Sequence, residues 1–271
     1  MPFLDVAGAS LYYETDGQVS APAVLLIHAG VATLRMWDPQ IAQLSEGHFV
    51  IRFDTRGYGE TETEDVPFSD RADALALLDH LGIGRATVVG CSRGGRIALD
   101  IAVEHPERVA GLVTIGSGPA GFPETELTER EDALFDELDE LLAGGQWEEL
   151  VRRETELWTF GPDRRAAELD PAFVATAYEL SRPNIRHHPD APTPIPLEPP
   201  AYYRVADITA PTLIMVGDHD LSEALAQYEY LADTIPGADS CRFPDSAHLP
   251  SVEQPDEFNR VLLDWLAKHG L

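Results

Sequence analysis

Ser92 has the surroundings that most strongly suggest chemistry, because it stands at the centre of Gly90-Cys91-Ser92-Arg93-Gly94. This G-x-S-x-G pattern directly follows an apolar stretch and directly precedes a helical pattern. A nucleophile on a tight strand-to-helix turn needs strained backbone angles, and glycines two residues before and after it relieve the crowding. The N-terminus of the following helix offers N–H donors to developing negative charge. The pattern therefore predicts Ser92 as a catalytic nucleophile.

The same serine needs a base, and the base needs an acid that orients it. The order serine, aspartate, histidine along the chain is one of the known arrangements. Residues 212–220, TLIMVGDHD, end a predicted strand with two carboxylates, and His248 follows the next short strand. We predict His248 as the base and Asp220 as the acid, because the three-residue step from Gly217 leaves room for a turn. Asp218 is assigned to that turn or to a helix entry.

Cys91 offers a competing nucleophile, a thiol. Centred on Cys91, however, the positions two residues before and after it are Val89 and Arg93, which do not relieve the crowding of a tight turn. We therefore predict that Cys91 is a small buried residue at the end of its strand.

An oxyanion formed at Ser92 would need two N–H donors. One is the backbone of Arg93, the residue after the nucleophile, and the other should come from the loop after the strand LLI at 25–27. Small residues there allow a close approach of the backbone to a substrate, so we predict the N–H of Gly30, ahead of that of Val31. His28 is expected to support this loop rather than to react.

A substrate pocket is expected between the top of the sheet and the helical segment described below. The candidate lining residues are apolar or aromatic, and each could equally belong to the core. They are Trp37, Phe122, Trp147, Trp158, Phe160, Tyr178, Leu221 and Leu249.

Two further patterns are weaker candidates for binding. GSGPAG at 116–121 matches G-x-G-x-x-G, but Pro119 and the following Phe122-Pro123 spoil the turn into a helix that a dinucleotide needs. His187 and His188 lack the spacing of a metal site, since no cysteine, histidine or carboxylate pattern supports them. We therefore expect no cofactor and no metal.

The elements that must position these residues alternate between short apolar runs and helical patterns. Strands are predicted at 11–14, 23–27, 49–54, 87–90, 112–116, 212–217 and 240–243. Helices are predicted around Trp37–Leu44 and over 69–81, 94–105 and 255–269. This alternation predicts an α/β fold with a mainly parallel, doubly wound sheet that is covered on both faces.

The alternation stops between about 118 and 204, where the pattern is helical without strands. Thr128-x-x-Glu131 is a capping box, and Asp170-Pro171 begins another helix that runs to Ser181. A stiff, extended proline-rich loop is predicted over 183–200. The predicted division is a core of residues 1–117 and 205–271, with residues 118–204 as a helical lid inserted between two late strands.

Composition excludes several classes of partner. The chain has 271 residues, with 19 Lys and Arg against 47 Asp and Glu, a formal net charge of −28. Nucleic acids and anionic membrane surfaces would be repelled, because binding them needs clustered basic residues. Two interpretations of the acidity remain open, an acidic solvated surface and adaptation to high salt.

Compartment and fold stability are also constrained by composition. An apolar fraction of 44 % allows a sizeable core, and two cysteines exclude a disulfide framework. The first dozen residues lack both basic residues and a long apolar run, so we expect no secretory signal and a soluble, cytoplasmic protein.

Four ordered motifs make the chain similar to the α/β-hydrolase superfamily. HAG at 28–30 resembles the oxyanion loop of that family, and DTRGYGET at 54–61 resembles its D-x-R-G-x-G-x-S turn. GCSRG at 90–94 resembles its nucleophile elbow, and GDHD at 217–220 with His248 resembles its acid and base. Ala29 and Arg93 depart from the commonest choices in that family. The branch most resembled is that of small esterases, enol-lactonases and cofactor-free perhydrolases.

Within the second of these motifs, Asp54 and Arg56 are expected to form a charged pair that, with Gly57 and Gly59, makes a tight turn supporting the site.

The resemblance and the ordered residues together predict a serine hydrolase of small carboxylic esters or lactones, acting as a monomer or homodimer. Carbon–carbon bond hydrolysis or enol-lactone opening in aromatic degradation is an alternative that the same three residues would serve. A ligand-sensing binding module with vestigial catalysis is a third hypothesis, against which the intact set of residues argues.

Overall fold

One mixed sheet organises the chain, and the structure, a computed structural model, describes residues 2–190 and 192–271, with only the backbone of Pro189 and Asp190. The strands are β1 Phe3–Val6, β2 Ala9–Asp16, β3 Ala23–Ile27, β4 Phe49–Phe53, β5 Glu62–Thr63, β6 Ala86–Cys91, β7 Val109–Ile115, β8 Thr212–Gly217 and β9 Asp239–Phe243. Their order is β1-β2-β4-β3-β6-β7-β8-β9, and β5 pairs with β2. From β4 to β9 the neighbours are parallel, whereas β1, β2 and β5 pair antiparallel.

Helices cover both faces of this sheet. They are α1 Asp38–Leu44, α2 Asp70–His80, α3 Arg93–Glu104, α4 Glu129–Ala143, α5 Trp147–Glu154, α6 Pro171–Ser181, α7 Ser222–Thr234, α8 Pro250–Glu253 and α9 Pro255–His269. Successive strand residues enter different cores, since Leu25 packs in one apolar cluster and Leu26 in another. The parallel, doubly wound α/β prediction is therefore confirmed. Of the described residues, no helix has both the length and the apolar character to cross a membrane.

The carboxyl ends of the parallel strands bring distant parts of the sequence together. Ser92 directly follows β6, Asp220 lies three residues after β8, and His248 lies five residues after β9. Because parallel strands all end at the same edge of a sheet, these residues meet there although they are far apart along the chain.

The segment between β7 and β8 contains α4, α5 and α6. Thr128 and Glu131 form the predicted capping box of α4, and Asp170 caps α6 by accepting hydrogen bonds from two backbone N–H groups. A π-helical turn, Thr155–Phe160, continues α5.

The prediction of an extended proline-rich loop over 183–200 is partly wrong. Arg182–Asp190 forms a 3-10 helix, because its first proline lies in the first turn, where the missing N–H has no helical acceptor to lose. Residue 191 and the side chains of Pro189 and Asp190 lie outside the described residues.

Four of the strands and α-helices have no counterpart among the predicted elements. These are β1, β5, α7 and the four-residue α8, of which β1 and β5 lie at the antiparallel side of the sheet and are only partly buried. Their apolar alternation is correspondingly weak. The buried positions of α7 include Gln227 beside Ala224 and Leu231, so polar residues interrupt its apolar stripe.

The turn after β4 forms differently from the predicted charged pair. Asp54 accepts hydrogen bonds from the backbone N–H of Leu34 at 2.7 Å and of Glu60 at 2.9 Å. A Cβ on Gly59 would lie 2.1 Å from the Asp54 carboxylate, so glycine is required there. Burial raises the pKa of Asp54 to about 6. The described contacts of Asp54 are with these backbone N–H groups, and Arg56 pairs with a different carboxylate. The predicted pair between Asp54 and Arg56 is therefore wrong.

That partner is Asp73 on α2, which Arg56 contacts through two hydrogen bonds of 2.7 and 2.9 Å. Both residues are buried, at 2 % and 6 % exposure. Arg56 also donates to the carbonyl of Ala7. The pair thus ties the turn after β4 to a helix on one face of the sheet.

Replacing Asp73 with alanine should lower the free energy of unfolding by about 3–5 kcal/mol, because it leaves the Arg56 guanidinium buried without its carboxylate. Urea unfolding followed by circular dichroism measures this change. The matched control is Asp79→Ala on the same helix, whose ion pair with Arg108 is exposed on the aspartate side and contributes about 0–1 kcal/mol. Equal losses in the two variants would contradict the buried-pair interpretation.

Candidate active site

Ser92 occupies a strained turn between β6 and α3. Its φ is 53° and its ψ is −117°, a region that residues other than glycine rarely adopt. A Cβ on Gly90 would lie 2.1 Å from the carbonyl oxygen of Gly94, and one on Gly94 would lie 2.2 Å from that of Ile27. Any side chain at either glycine would collide with backbone. The two glycines of the motif are therefore steric requirements of this turn.

Backbone and side-chain hydrogen bonds hold the serine in place. Its N–H donates to the carbonyl of Ile115 at 2.8 Å, which connects the turn to the neighbouring strand β7. Its carbonyl accepts from the hydroxyl of Ser117 at 2.7 Å and from the N–H of Arg96 at 3.0 Å. These contacts fix the backbone of Ser92, and the residue lines a cavity.

Asp220 and His248 are in direct contact. His248 Nδ1 lies 2.9 and 2.8 Å from the two carboxylate oxygens of Asp220, and both residues are at most 5 % exposed. Asp220 also accepts a hydrogen bond from the N–H of Leu221 at 2.8 Å. Asp218 instead is exposed and pairs with Arg242 at 2.6 Å. Of the two carboxylates weighed from sequence, only Asp220 contacts the histidine.

Gly116 makes room for this pair. It has a φ of 52°, and a Cβ there would lie 2.8 Å from a carboxylate oxygen of Asp220 and 3.0 Å from His248 Nδ1. The glycine belongs to the G-x-G-x-x-G pattern at 116–121, in which Pro119 and Phe122-Pro123 argue against dinucleotide binding. In the structure, the absence of a side chain at Gly116 leaves space for the contact between Asp220 and His248.

His248 presents its second nitrogen without a protein partner. The Nε2 atom is buried and makes no hydrogen bond with any described residue. His248 and Ser92 line the same cavity, and the described residues include no hydrogen bond between the serine hydroxyl and the ring. Hydrogen bonds between a nucleophile and its base often tighten only when substrate binds. Nε2 is thus a buried nitrogen without a protein partner among the described residues, on a side chain that lines the cavity together with Ser92.

The loop after β3 borders the same cavity. Gly30 and Val31 line it, as does Arg93, the first residue of α3. The first N–H groups of a helix have no acceptor within the helix, so the Arg93 N–H is available to a ligand. The structure therefore places both predicted donor residues, Gly30 and Arg93, at the cavity that contains Ser92.

His28 lies beneath that loop and is fully buried. Its Nδ1 is 2.8 Å from the carbonyl of Ala29, and its Nε2 accepts from the N–H of Thr55 at 3.0 Å. Burial lowers the pKa of the ring to about 4, so the ring is neutral at pH 7. Because one nitrogen faces a carbonyl and the other faces an N–H, the Nδ1-protonated tautomer satisfies both contacts. These contacts match the predicted supporting role.

The cavity has a volume of about 600 Å³ and is lined by charged as well as apolar residues. Arg93 donates to Asp70 at 2.7 Å, and Arg71 is paired with Glu104. Glu154, at the end of α5, faces the cavity, and burial raises its pKa to about 7. The pocket predicted from apolar residues alone is thus substantially polar.

Of the eight predicted lining residues, Trp158 and Leu221 line the cavity and the other six lie elsewhere. Trp37 and Leu249 are buried in the core together with Phe160. The remaining three contact other side chains instead of the cavity. Phe122 packs against Tyr202 and Tyr230, Trp147 stacks on His188, and Tyr178 donates a hydrogen bond to Glu156. Aromatic residues at helical spacing mostly filled the core or a helix interface.

Several cavity residues were missed because their signal lies in tertiary structure. Tyr58 belongs to a motif that was treated as a structural turn, and Glu154 is one acid among many in the helical segment. His187 and His188 also line the cavity although they were considered only as metal ligands. Among the described residues, no group of three His, Cys, Asp or Glu side chains is arranged to hold a metal ion.

Cys91 is the last residue of β6 and is fully buried. Its thiol contacts the carbonyl of His248 at 3.4 Å, and burial raises its pKa well above the usual value. A buried, protonated thiol is a poor nucleophile.

Comparisons with known proteins agree with this fold. A family model described as the alpha/beta hydrolase fold matches residues 22–255. The chain is 26 % identical over 270 residues to 3-oxoadipate enol-lactonase 2 of Acinetobacter baylyi, covering 96 % of this chain and 94 % of that protein. It is 32 % identical over 275 residues to "Putative carbamate hydrolase RutD" of Azorhizobium caulinodans, covering 97 % of each.

A similar solved structure is the enol-lactonase from Burkholderia xenovorans LB400, with a TM-score of 0.78 and 26 % sequence identity. The match covers 98 % of this chain and 100 % of that chain. The similarity therefore includes the helical segment as well as the sheet.

The His28 ring should remain neutral down to about pH 5, because its pKa is lowered to about 4. The unfolded chain has a histidine pKa near 6.5, so it binds more protons than the folded chain between about pH 6.5 and 4. The contribution of His28 to stability is therefore present above this window and is lost as the pH falls through it.

Two-dimensional NMR of the assigned His28 ring, with free imidazole as an internal reference, measures this titration. A midpoint near 6.5 in the folded protein would contradict the buried, hydrogen-bonded geometry.

Proposed function

Because the chain belongs to the alpha/beta hydrolase fold family, we propose that it is a serine hydrolase that cleaves small carboxylic esters or lactones through an acyl-enzyme intermediate. Ser92 is the nucleophile, His248 the general base and acid, and Asp220 the residue that orients the imidazole. The observation that carries the proposal is the contact of 2.8 Å between Asp220 and His248 Nδ1. The other ring nitrogen of His248, Nε2, has no protein partner among the described residues, and His248 lines the same cavity as the strained Ser92.

Acylation follows from these positions. His248 Nε2 takes the proton of the Ser92 hydroxyl as its oxygen bonds to the substrate carbonyl carbon. The resulting imidazolium is stabilised by the Asp220 carboxylate on the other side of the ring. When the tetrahedral intermediate collapses, the bond to the alcohol oxygen breaks and the same nitrogen returns the proton to that oxygen. The acyl group remains on Ser92.

Deacylation repeats the sequence with water. His248 removes a proton from the water molecule, the hydroxide oxygen bonds to the acyl carbon, and the bond to the serine oxygen breaks. Ser92 recovers its proton from His248, and a carboxylic acid is released. In both stages the negative charge on the carbonyl oxygen is stabilised by the N–H groups of Gly30 and Arg93.

Residues 118–204 act in this proposal as a lid over a core formed by residues 1–117 and 205–271. The lid supplies Glu154 and Trp158 to the cavity, while the core supplies Ser92 and His248. Substrate is therefore held between elements from both parts, which reduces the contact of the reacting bond with bulk solvent.

The charges around the cavity favour an uncharged substrate. Of the four arginines that line it, Arg56, Arg71 and Arg93 already have carboxylate partners. The fourth, Arg96, has no ion pair among the described residues, but its charge acts on the neighbouring Asp100, which also lines the cavity. Burial raises the pKa of Asp100, and the charge of Arg96 opposes that rise. Lining carboxyl groups are contributed by Asp70, Asp100, Glu154 and Glu223. A carboxylate-bearing substrate would meet these groups as well as the net charge of −28.

Lactone opening is the form of this reaction favoured by the comparisons, since relatives in both sequence and structure are enol-lactonases. The chemistry at Ser92 is identical, except that the leaving alcohol is part of the acyl chain, so it stays attached in the acyl-enzyme and in the hydroxy acid that water releases. A panel of lactones and acyl esters of increasing chain length, measured as kcat/KM, distinguishes the two.

Ser92→Ala should reduce turnover of p-nitrophenyl acetate by about 10⁴-fold or more and abolish labelling by a fluorophosphonate probe, because both need the hydroxyl as nucleophile. The rates of the purified variant and the wild type are compared. Ser45→Ala, in the turn after α1 and outside the cavity, is the matched control and should behave like the wild type. Equal turnover by Ser92→Ala would refute the proposal.

A second pair of variants tests the acid within the same proposal. Asp220→Asn should lower kcat by about 10⁴-fold, since an amide supports the wrong imidazole tautomer. Asp218→Asn removes a neighbouring carboxylate that contacts Arg242 rather than His248, and should change kcat by less than about 3-fold. The reverse order of effects would move the acid to Asp218.

The charge argument predicts that p-nitrophenyl hemisuccinate has a kcat/KM about 10-fold below that of its methyl ester, which differs only in masking the terminal carboxylate. About 1.4 kcal/mol of repulsion produces this ratio. Salt screens the long-range part, so the ratio should narrow between about 0.05 and 1 M NaCl. A preference for the anionic ester at low salt would show that a free cation serves substrate binding.

A further inference from the structure

Tyr58 places a hydroxyl group beside the loop that carries the proposed oxyanion donor. A Cβ built on Gly30 would lie 3.5 Å from the Tyr58 hydroxyl oxygen, and apart from Gly30 and its two chain neighbours no other atom of the described residues comes within 4 Å of that point. Tyr58 lines the same cavity as Ser92, Arg93 and His248. The phenol thus borders the space into which a substrate carbonyl oxygen must point.

The ring of Tyr58 is fixed by neighbours on two sides. The His28 ring packs edge-on at a centroid distance of 5.1 Å, and the Arg93 guanidinium lies over the ring at 5.2 Å. The backbone is held by hydrogen bonds from the Tyr58 N–H to Thr55 and from the Thr61 N–H to Tyr58. These contacts fix the position of the phenol oxygen, and its O–H can turn toward an acceptor that lies in the cavity.

The hydroxyl itself has no hydrogen-bond partner in the part of the chain that the structure describes. A tyrosine with its ring packed inside a protein ordinarily bonds its O–H to a neighbouring group. Burial raises the pKa of this phenol above its usual value, so at neutral pH it keeps its proton and is a donor. A rigid donor without a protein acceptor, at the edge of the reaction space, is suited to a ligand oxygen.

We propose that the Tyr58 hydroxyl donates a third hydrogen bond to the oxyanion, beside the N–H groups of Gly30 and Arg93. The inference rests on the proposed hydrolase function and adds to it a side-chain donor. The bond would strengthen as charge develops, because a hydrogen bond to an ionised acceptor is shorter and about twice as strong as one to a neutral acceptor.

The position of Arg93 supports this assignment. A cation over an aromatic face is attracted by the electron density of the ring. When the phenol donates to an oxyanion, electron density accumulates on the phenol, and the guanidinium above it stabilises that density. Asp70 holds the guanidinium in place through a hydrogen bond of 2.7 Å. Arg93 thus contributes to the proposed oxyanion hole through its backbone directly and through its side chain by way of Tyr58.

The test is Tyr58→Phe, which removes one oxygen and retains the ring that packs against His28 and Arg93. We expect kcat for p-nitrophenyl acetate to fall about 10- to 100-fold, with KM within about 3-fold and the melting temperature unchanged. Tyr230→Phe is the matched control, because its hydroxyl bonds to the carbonyl of Tyr202 outside the cavity, and it should retain wild-type kcat. Unchanged kcat in Tyr58→Phe would overturn the inference.

A series of aryl acetates with increasingly poor leaving groups locates the bond. A donor to the oxyanion acts on the carbonyl oxygen, so the loss in kcat/KM should be the same across the series. A loss that grows as the leaving group becomes poorer would place the hydroxyl on the leaving oxygen and overturn the oxyanion assignment. Failure of the proposed hydrolase function is separate, since it would appear as wild-type enzyme without Ser92-dependent turnover.

Discussion

The positive φ of Ser92 is the constraint on which the rest of the site depends. A serine pays a steric penalty in that region, and the surrounding backbone must hold it there. The hydrogen bond to Ile115 and the close approach of Gly94 to Ile27 anchor the turn to strands on both sides of β6. The conformation that raises the hydroxyl out of the sheet is therefore a property of three adjacent strands rather than of one loop.

Close packing that only glycine allows is also found where Asp220 and His248 meet. Gly116 lets the chain after β7 pass within van der Waals distance of the Asp220–His248 contact. A larger residue would collide with the pair, because a Cβ at this position would lie 2.8 Å from an Asp220 carboxylate oxygen and 3.0 Å from His248 Nδ1. Glycines from separate sequence motifs thus have one shared effect. They allow four strand ends to pack around a small volume.

Much of the architecture could be predicted because strands that are buried on both faces of a parallel sheet have continuous apolar sequences. β3 and β8 were predicted with their observed ends, and the order Ser92, Asp220, His248 pointed to one sheet edge. Elements at the antiparallel side, such as β1, are only partly buried and left too weak a pattern. The partner of Arg56 was misassigned because sequence proximity favoured Asp54, whereas the carboxylate that reaches it comes from α2.

The cavity wall shows why pocket residues are harder to predict than the reacting ones. In a regular α-helix Trp147 and Trp158 would share a face, because eleven residues make about three turns. The π-helical turn Thr155–Phe160 has more residues per turn and breaks this register. Trp158 then faces the cavity while Trp147 stacks on His188. Both tryptophans still pack against one apolar cluster of the helical segment, so a local change in helical period, which no apolar pattern records, is enough to separate the tryptophan that lines the cavity from the one that does not.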